Sequence, residues 1–85
     1  MEVTRNVRIR GKTYSISKEE VNRKLKEIDP EPIRCYYVEL FDERYPIKQI
    51  LSRTLGLPKA GFTTQDAYSA LSRLGYEIKV SEDYL

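Results

Sequence analysis

The chain has 85 residues and a formal net charge of +2, and its 40% hydrophobic and 33% charged residues are typical of one globular domain rather than a disordered chain. No apolar run approaches the ~20 residues of a membrane helix, so we expect no membrane association. Histidine, the commonest general base and zinc ligand, is absent, and the single Cys35 cannot form an internal disulfide. These features predict a cytoplasmic, non-enzymatic domain without catalytic residues, metal or cofactor.

Residues 7–16, with the sequence VRIRGKTYSI, predict a β-hairpin. Gly11 and Lys12 fit the central positions of a two-residue type II′ turn, because glycine is favoured at the first of them. This turn pairs Ile9 with Tyr14. The expected register places all the apolar side chains on one face. That face consists of Val7, Ile9, Tyr14 and Ile16.

Residues 17–28 predict a helix that supports the rest of the fold. Ser17 and Glu20 have the spacing of a capping box, in which the serine hydroxyl and the glutamate carboxylate satisfy free N–H groups of the first turn. The apolar stripe of this helix consists of Val21, Leu25 and Ile28. The sequence DPEP at residues 29–32 ends the helix and forms a stiff connector.

Residues 35–46 predict a second hairpin, with a strand CYYVELF and a turn at Asp42 and Glu43. Alternation divides the strand into two faces. One face has Tyr36, Val38 and Leu40, and the other has Cys35, Tyr37, Glu39 and Phe41. The adjacent tyrosines are either stacking platforms for bases or packing residues of a small core.

Residues 46–80 predict two short helices with a tight link, followed by a strand. The first helix has apolar residues at helical spacing and ends at Gly56. The second begins with Thr63 or Thr64 as its N-cap and ends before Gly75, which can adopt positive φ. Alternating apolar residues then indicate a strand. The order of helix, turn, helix and strand is typical of a winged helix-turn-helix.

Together these elements predict a single α+β domain, residues 1–85, in the order β-β-α-β-β-α-α-β, with a winged helix-turn-helix-like C-terminal half and an acidic tail at residues 81–85. Positive charge is uneven along it. Residues 1–16 and 47–76 each carry four basic side chains against one acidic side chain. These regions are the first hairpin and the helix pair, where a DNA-binding winged module requires positive charge.

The second half of the chain resembles the N-terminal head module of McrA-type HNH restriction endonucleases, which target modified DNA. The motifs that carry this resemblance are YPIKQI at residues 45–50, FTT at residues 62–64 and LSRLGY at residues 71–76. The resemblance covers residues 36–80 and implies an accessory, DNA-contacting module related to restriction–modification, with Lys48 in a contact role. TTQD at residues 63–66 departs from the Gly-Gly-Glu-like cap of that module. The chain lacks an HNH nuclease domain, so the resemblance implies no nuclease activity.

We therefore predict a non-catalytic nucleic-acid-binding module, with double-stranded DNA as its partner. The helix at about residues 65–74 approaches the major groove. Its candidate base-facing residues are Thr64, Gln65, Ser69 and Arg73. The candidate phosphate contacts are Lys48, Arg53 and Lys59 in the helix pair and Arg8, Arg10 and Lys12 in the first hairpin. Gln49 and Thr63 complete the predicted set.

The alternative prediction is a protein–protein interaction module, a small adaptor that docks through a tyrosine-rich sheet. The near-neutral charge and the seven tyrosines favour it, because tyrosine is enriched at interfaces. The two predictions differ in what the surface must show. A basic face across the hairpin and helix pair favours DNA, and a contiguous exposed Tyr/Phe patch favours a protein partner.

Overall fold

A computed structural model describes residues 4–33 and 35–82, which form two antiparallel sheets and three α-helices. In chain order the elements are β1 (Thr4–Ile9), β2 (Lys12–Ser17), α1 (Lys18–Leu25), β3 (Tyr36–Leu40), β4 (Glu43–Pro46), α2 (Ile47–Leu55), α3 (Thr64–Arg73) and β5 (Lys79–Val80). A turn of 3₁₀ helix, Lys59–Gly61, lies between α2 and α3. The α+β class and the predicted order β-β-α-β-β-α-α-β are confirmed.

The first hairpin, β1–β2, has the predicted apolar face but a different turn. Ile9 pairs with Lys12, so the turn residues are Arg10 and Gly11, with positive φ of 51° and 83°. This is the type I′ geometry, which matches the right-handed twist of the strands. The predicted register was wrong by two residues. Because side chains alternate with a period of two, that shift keeps the same residues on the core face, of which Val7, Ile9 and Ile16 are buried.

Helix α1 begins where it was predicted and ends three residues earlier. The Ser17 hydroxyl caps the helix by accepting a hydrogen bond from the backbone N–H of Glu20. The helix ends at Leu25, and the Ile28 N–H donates to the Leu25 carbonyl across the turn that follows. A proline at position 30 disfavours helical geometry at Asp29, so the helix does not continue into the connector.

The second hairpin, β3–β4, is the larger part of a three-stranded sheet. Its turn residues are Phe41 and Asp42, with φ of 53° and 62°, so the predicted turn at Asp42 and Glu43 was wrong by one residue. Strand β5 pairs with the start of β3, which gives the strand order β4-β3-β5. The predicted acidic tail falls partly outside the described residues. Its first residue, Ser81, is buried and donates its N–H to the Cys35 carbonyl.

Helices α2 and α3 have the predicted boundaries. α2 follows Pro46 and ends at Gly56, which has the left-handed conformation. α3 has Thr63 as its N-cap and is followed by Gly75, with φ of 93°. The link is eight residues long and includes the 3₁₀ turn, longer than the three to four residues of a helix-turn-helix connection.

One hydrophobic core joins both sheets, and α2 lies at its centre. α2 contacts α1, α3 and strands β2, β3 and β4. Its buried side chains are Ile47, Gln49, Ile50, Leu51 and Thr54. α3 packs against α2 and against β1, so the first hairpin lies next to the helix that we predicted to contact DNA.

Candidate nucleic-acid interface

Helix α3 buries one narrow stripe and exposes the opposite side. The buried stripe consists of Ala67, Ala70 and Leu71. The exposed side, here called the α3 face, consists of Thr64, Gln65, Tyr68, Ser69, Ser72 and Arg73. All four predicted base-facing residues belong to this face. The structure therefore brings them together, as the helical period predicted.

The acidic residue of α3, Asp66, points into the helix cap. Its carboxylate accepts a hydrogen bond of 2.9 Å from the Thr63 N–H, and the Thr63 hydroxyl accepts one of 3.1 Å from the Asp66 N–H. This capping box occupies the hydroxyl of Thr63, a predicted contact residue. The α3 face itself has no carboxylate, so its formal charge comes from Arg73 alone.

A cleft of about 500 Å³, here called the α2–α3 cleft, lies between the starts of the two helices. Lys48, Thr64 and Lys59 contribute to its wall, together with Tyr36 from β3. The remaining wall comes from the connector before β3 and the first turn of α2, where Pro46 provides no side-chain cap. The cleft thus brings together the predicted contact residues Lys48, Lys59 and Thr64, from α2, the 3₁₀ turn and α3.

Lys48 is the cation of the cleft that has no carboxylate partner in the described part of the chain. Its Nζ lies 5.3 Å from the ring centroid of the buried Phe62, a cation–π distance. Phe62 therefore supports the lysine from below without neutralising it. Glu31 also lines the cleft, and its carboxylate pairs with Lys59.

Arg53 in the last turn of α2 and Lys59 in the 3₁₀ turn after it line a second, shallower depression of about 550 Å³. Lys59 forms an ion pair with Glu31, and both side chains are partly exposed. Exposed pairs of this kind contribute only about 0–1 kcal/mol, so a phosphate can compete with the carboxylate. Arg53 is exposed in its last helical turn. Both predicted phosphate contacts are thus accessible, but Lys59 is already paired with Glu31.

Gln49 corrects the predicted set of contact residues. Only 2% of it is exposed, and its amide holds the connector: Nε2 donates to the Asp29 carbonyl and Oε1 accepts from the Glu31 N–H, each at 2.9 Å. A buried amide whose polar atoms are paired has no group free for a base edge. Because glutamine is polar, we predicted a surface position for it. The helical pattern of α2 does not show that the connector covers this side chain.

The basic residues of the first hairpin are exposed but do not form one cluster. Arg8 lies on the outer face of the hairpin, which is not the face of Ile9. Lys12 pairs with Ile9, so it lies on the core-facing side, beyond the apolar residues. Arg10 occupies the turn. The hairpin therefore presents its charge mainly at its tip and on its outer face.

Tyr36 and Tyr68 form a pair that the sequence reading did not identify. Their ring centroids are 5.2 Å apart at an interplanar angle of 75°, an edge-to-face arrangement. Tyr68 is 38% exposed, and Tyr36 is half-buried and lines the α2–α3 cleft. The signal was present, because Tyr68 follows Thr64 by four residues and so shares its helix face.

Most of the described tyrosines are packing residues. Tyr37 and Tyr45 are buried, with the Arg44 guanidinium 5.0 Å above the Tyr37 ring. The Tyr45 hydroxyl donates a 2.7 Å hydrogen bond to the Ile28 carbonyl, and burial raises its pKa, with a further contribution from Glu43. The exposed large apolar residues of the described chain are Phe41, Tyr68 and Val80. A docking surface made of many tyrosines is therefore not what the sheet presents.

In residues 4–33 and 35–82, no group of three or more His, Cys, Asp or Glu side chains is arranged to hold a metal ion. No helix in those residues combines the length and the apolar character needed to cross a bilayer.

Comparison with known proteins gave one family match. The model of the family described as SCO5918-like matches residues 5–84. No curated protein and no solved structure matches the chain. The resemblance to McrA-type head modules is not tested by this match and stays a prediction.

Proposed function

This chain belongs to the SCO5918-like family, and we propose that it is a non-catalytic nucleic-acid-binding module whose target is double-stranded DNA. One observation carries the proposal. The α3 face is a continuous exposed stripe of hydrogen-bonding side chains without a carboxylate, because Asp66 is turned into the helix cap. We propose that the domain is cytoplasmic. A face without acidic groups suits negatively charged DNA better than a basic protein partner.

In this proposal α3 lies in the major groove. Its ten residues give a length of about 15 Å, and a major groove admits a single helix. Gln65 would pair with adenine and Arg73 with guanine, because an amide and a guanidinium match the major-groove edges of these bases. Ser69 lies between them on the same face.

Phosphate contacts flank this helix. Lys48 has no acidic partner in the described residues, Arg53 adds a positive charge at the end of α2, and Lys59, paired with Glu31, lies in the 3₁₀ turn beyond it. β1 also packs against α3, and in this proposal the basic residues of the first hairpin contact the same duplex. Contacts of this type set affinity and salt dependence, whereas the α3 face sets sequence preference.

The test is fluorescence anisotropy with a labelled random-sequence duplex at about 50 mM and about 200 mM salt. We expect binding at low salt that weakens steeply as salt rises, because phosphate binding releases counterions. Removing one phosphate contact should reduce the salt slope by about 1. Absence of binding at the lower salt concentration would overturn the proposal and give precedence to the protein-partner alternative.

Substitutions locate the surface. We expect Lys48→Ala and Arg73→Ala to weaken binding, and Arg23→Ala to leave it nearly unchanged. Arg23 is an exposed arginine on α1 and provides a charge-matched control outside the proposed face. Equal losses in all three variants would mean that binding follows net charge and that the α3 face is not the contact surface.

A further inference from the structure

Tyr36 places an aromatic ring, and Lys48 a cation without a carboxylate partner among the described residues, in the same cleft. Tyr36 is held edge-to-face against Tyr68, so its ring has a defined orientation. Lys48 lies in the same wall over Phe62, and Thr64 adds a hydroxyl group. An aromatic surface binds a nucleobase by stacking, and a lysine binds a phosphate.

The size of the cleft restricts the ligand. A volume of about 500 Å³ lies within the range of small-molecule and cofactor sites, which are roughly 300–1,000 Å³. A cleft of this size suits a small ligand such as one nucleotide better than a base pair held in a duplex. The cleft also adjoins the α3 face, since Thr64 belongs to both.

We infer that the α2–α3 cleft binds a single unpaired nucleotide, with its base against Tyr36 and its phosphate on Lys48. The inference rests on the proposed function, because it identifies what the same surface does when a duplex contains a bulge, a flipped base or a single-stranded end. The shared chemistry of these targets is one exposed purine or pyrimidine joined to a phosphate. α3 would hold the paired DNA beside it.

The first experiment uses the isolated ligand chemistry. Backbone amide NMR spectra are recorded while deoxyadenosine monophosphate is added, with deoxyribose 5-phosphate as a control that lacks the base. We expect saturable shifts at Tyr36, Lys48 and Thr64 with the nucleotide and clearly weaker shifts with the sugar phosphate. Equal shifts with both ligands would mean a phosphate site only, and shifts spread over the surface would mean no site. Either result overturns the inference.

The second experiment separates this inference from the proposed function. Anisotropy compares a fully paired duplex, the same duplex with one bulged adenosine, and one with an abasic residue in the bulge. We expect the bulged adenosine to bind about 5-fold or more tighter than the other two, as stacking of one base permits. Binding of all three duplexes with equal affinity would leave the proposed function intact and overturn the nucleotide site. Nucleotide-induced chemical shift changes without any duplex binding would support the nucleotide site and overturn the proposed function.

Variants assign the effect to the aromatic wall. Tyr36→Leu should abolish the preference for the bulge, measured as the ratio of the affinities for the bulged and the paired duplex. Tyr68→Leu alters an exposed residue that supports Tyr36, and it keeps the test valid if Tyr36→Leu does not fold. Phe41→Leu is the matched control, since Phe41 is an exposed aromatic at the opposite end of β3. A preference retained in both tyrosine variants would overturn the inference.

Discussion

Helices α2 and α3 pack against each other and end alike, but they begin differently. Each is followed by a glycine with positive φ, and the next residue donates its N–H back into the last turn, from Leu57 to the Ser52 carbonyl and from Tyr76 to the Leu71 carbonyl. At the other end, α3 has a complete capping box, whereas Pro46 before α2 forms no side-chain cap.

The two helices also differ in what surrounds them. α2 buries five of its nine residues and contacts both sheets, whereas α3 buries three of its ten. A short helix surrounded by packing partners is stabilised by those contacts, but a helix exposed on one side depends more on its own cap. α2 is therefore the interior anchor of the fold, and α3 is the helix with the larger exposed side.

The largest loss of stability is expected when a buried side chain of α2, the interior anchor, is truncated. Gln49→Ala removes both hydrogen bonds to the connector and leaves a backbone carbonyl and an N–H without their partner. We expect the free energy of unfolding to fall by about 2–4 kcal/mol, which urea denaturation would measure. Gln65→Ala, at an exposed position of α3, is the matched control and should change stability by no more than about 0.5 kcal/mol. An unchanged stability in Gln49→Ala, together with weaker DNA binding, would restore Gln49 to the contact residues.

A smaller effect tests the cap of α3. Thr63→Ala removes the hydroxyl that accepts from Asp66, and we expect a loss of about 1 kcal/mol in the free energy of unfolding. Thr64→Ala changes the neighbouring exposed threonine, which is not the N-cap, and serves as its control. If both variants lose the same stability by thermal or urea unfolding, the cap is not what stabilises α3.

The substitution with the smallest effect on stability at neutral pH is at Tyr76, which follows α3. The Tyr76 hydroxyl is buried without a hydrogen-bond partner among the described residues, and burial raises its pKa to about 12. The unfolded chain loses this proton near pH 10. Stability from the neutral hydroxyl is therefore complete below about pH 10 and is lost as the pH rises toward about 12.

Tyr76→Phe removes that titration. We expect a shallower fall of the unfolding free energy above about pH 10 than in the wild type, with little change at neutral pH. Urea unfolding over a pH series measures the two curves. Parallel curves above pH 10 would contradict the assignment of the raised pKa to Tyr76.

The hairpins show how much of the fold could be predicted from the sequence. The apolar pattern located both hairpins and the inner face of the first, because alternation depends only on which residues are buried. Both turns were predicted one residue too late. Type I′ geometry requires positive φ at two successive positions, and Phe41 and Asp42 adopt it without a glycine. Tertiary packing of the strands selects this turn, and local turn preference does not.

The candidate site was also predicted only in part from the sequence. The helical period grouped Gln65, Ser69 and Arg73 on one exposed face, because that face depends on α3 alone. The environment of Gln49 depends on a connector about twenty residues away along the chain, and the cleft depends on three separate segments. Local periodicity contains no information about such contacts, so Gln49 was misassigned and Tyr68 was missed.

The position of β5 determines how this domain matures during its synthesis. Its partner β3 begins at Tyr36, so the edge of the central sheet stays unpaired until residues 79 and 80 have left the ribosome. A chain that stalls after α3 therefore lacks the partner of this edge, and an unpaired strand edge is the kind of surface that chaperones and neighbouring chains bind.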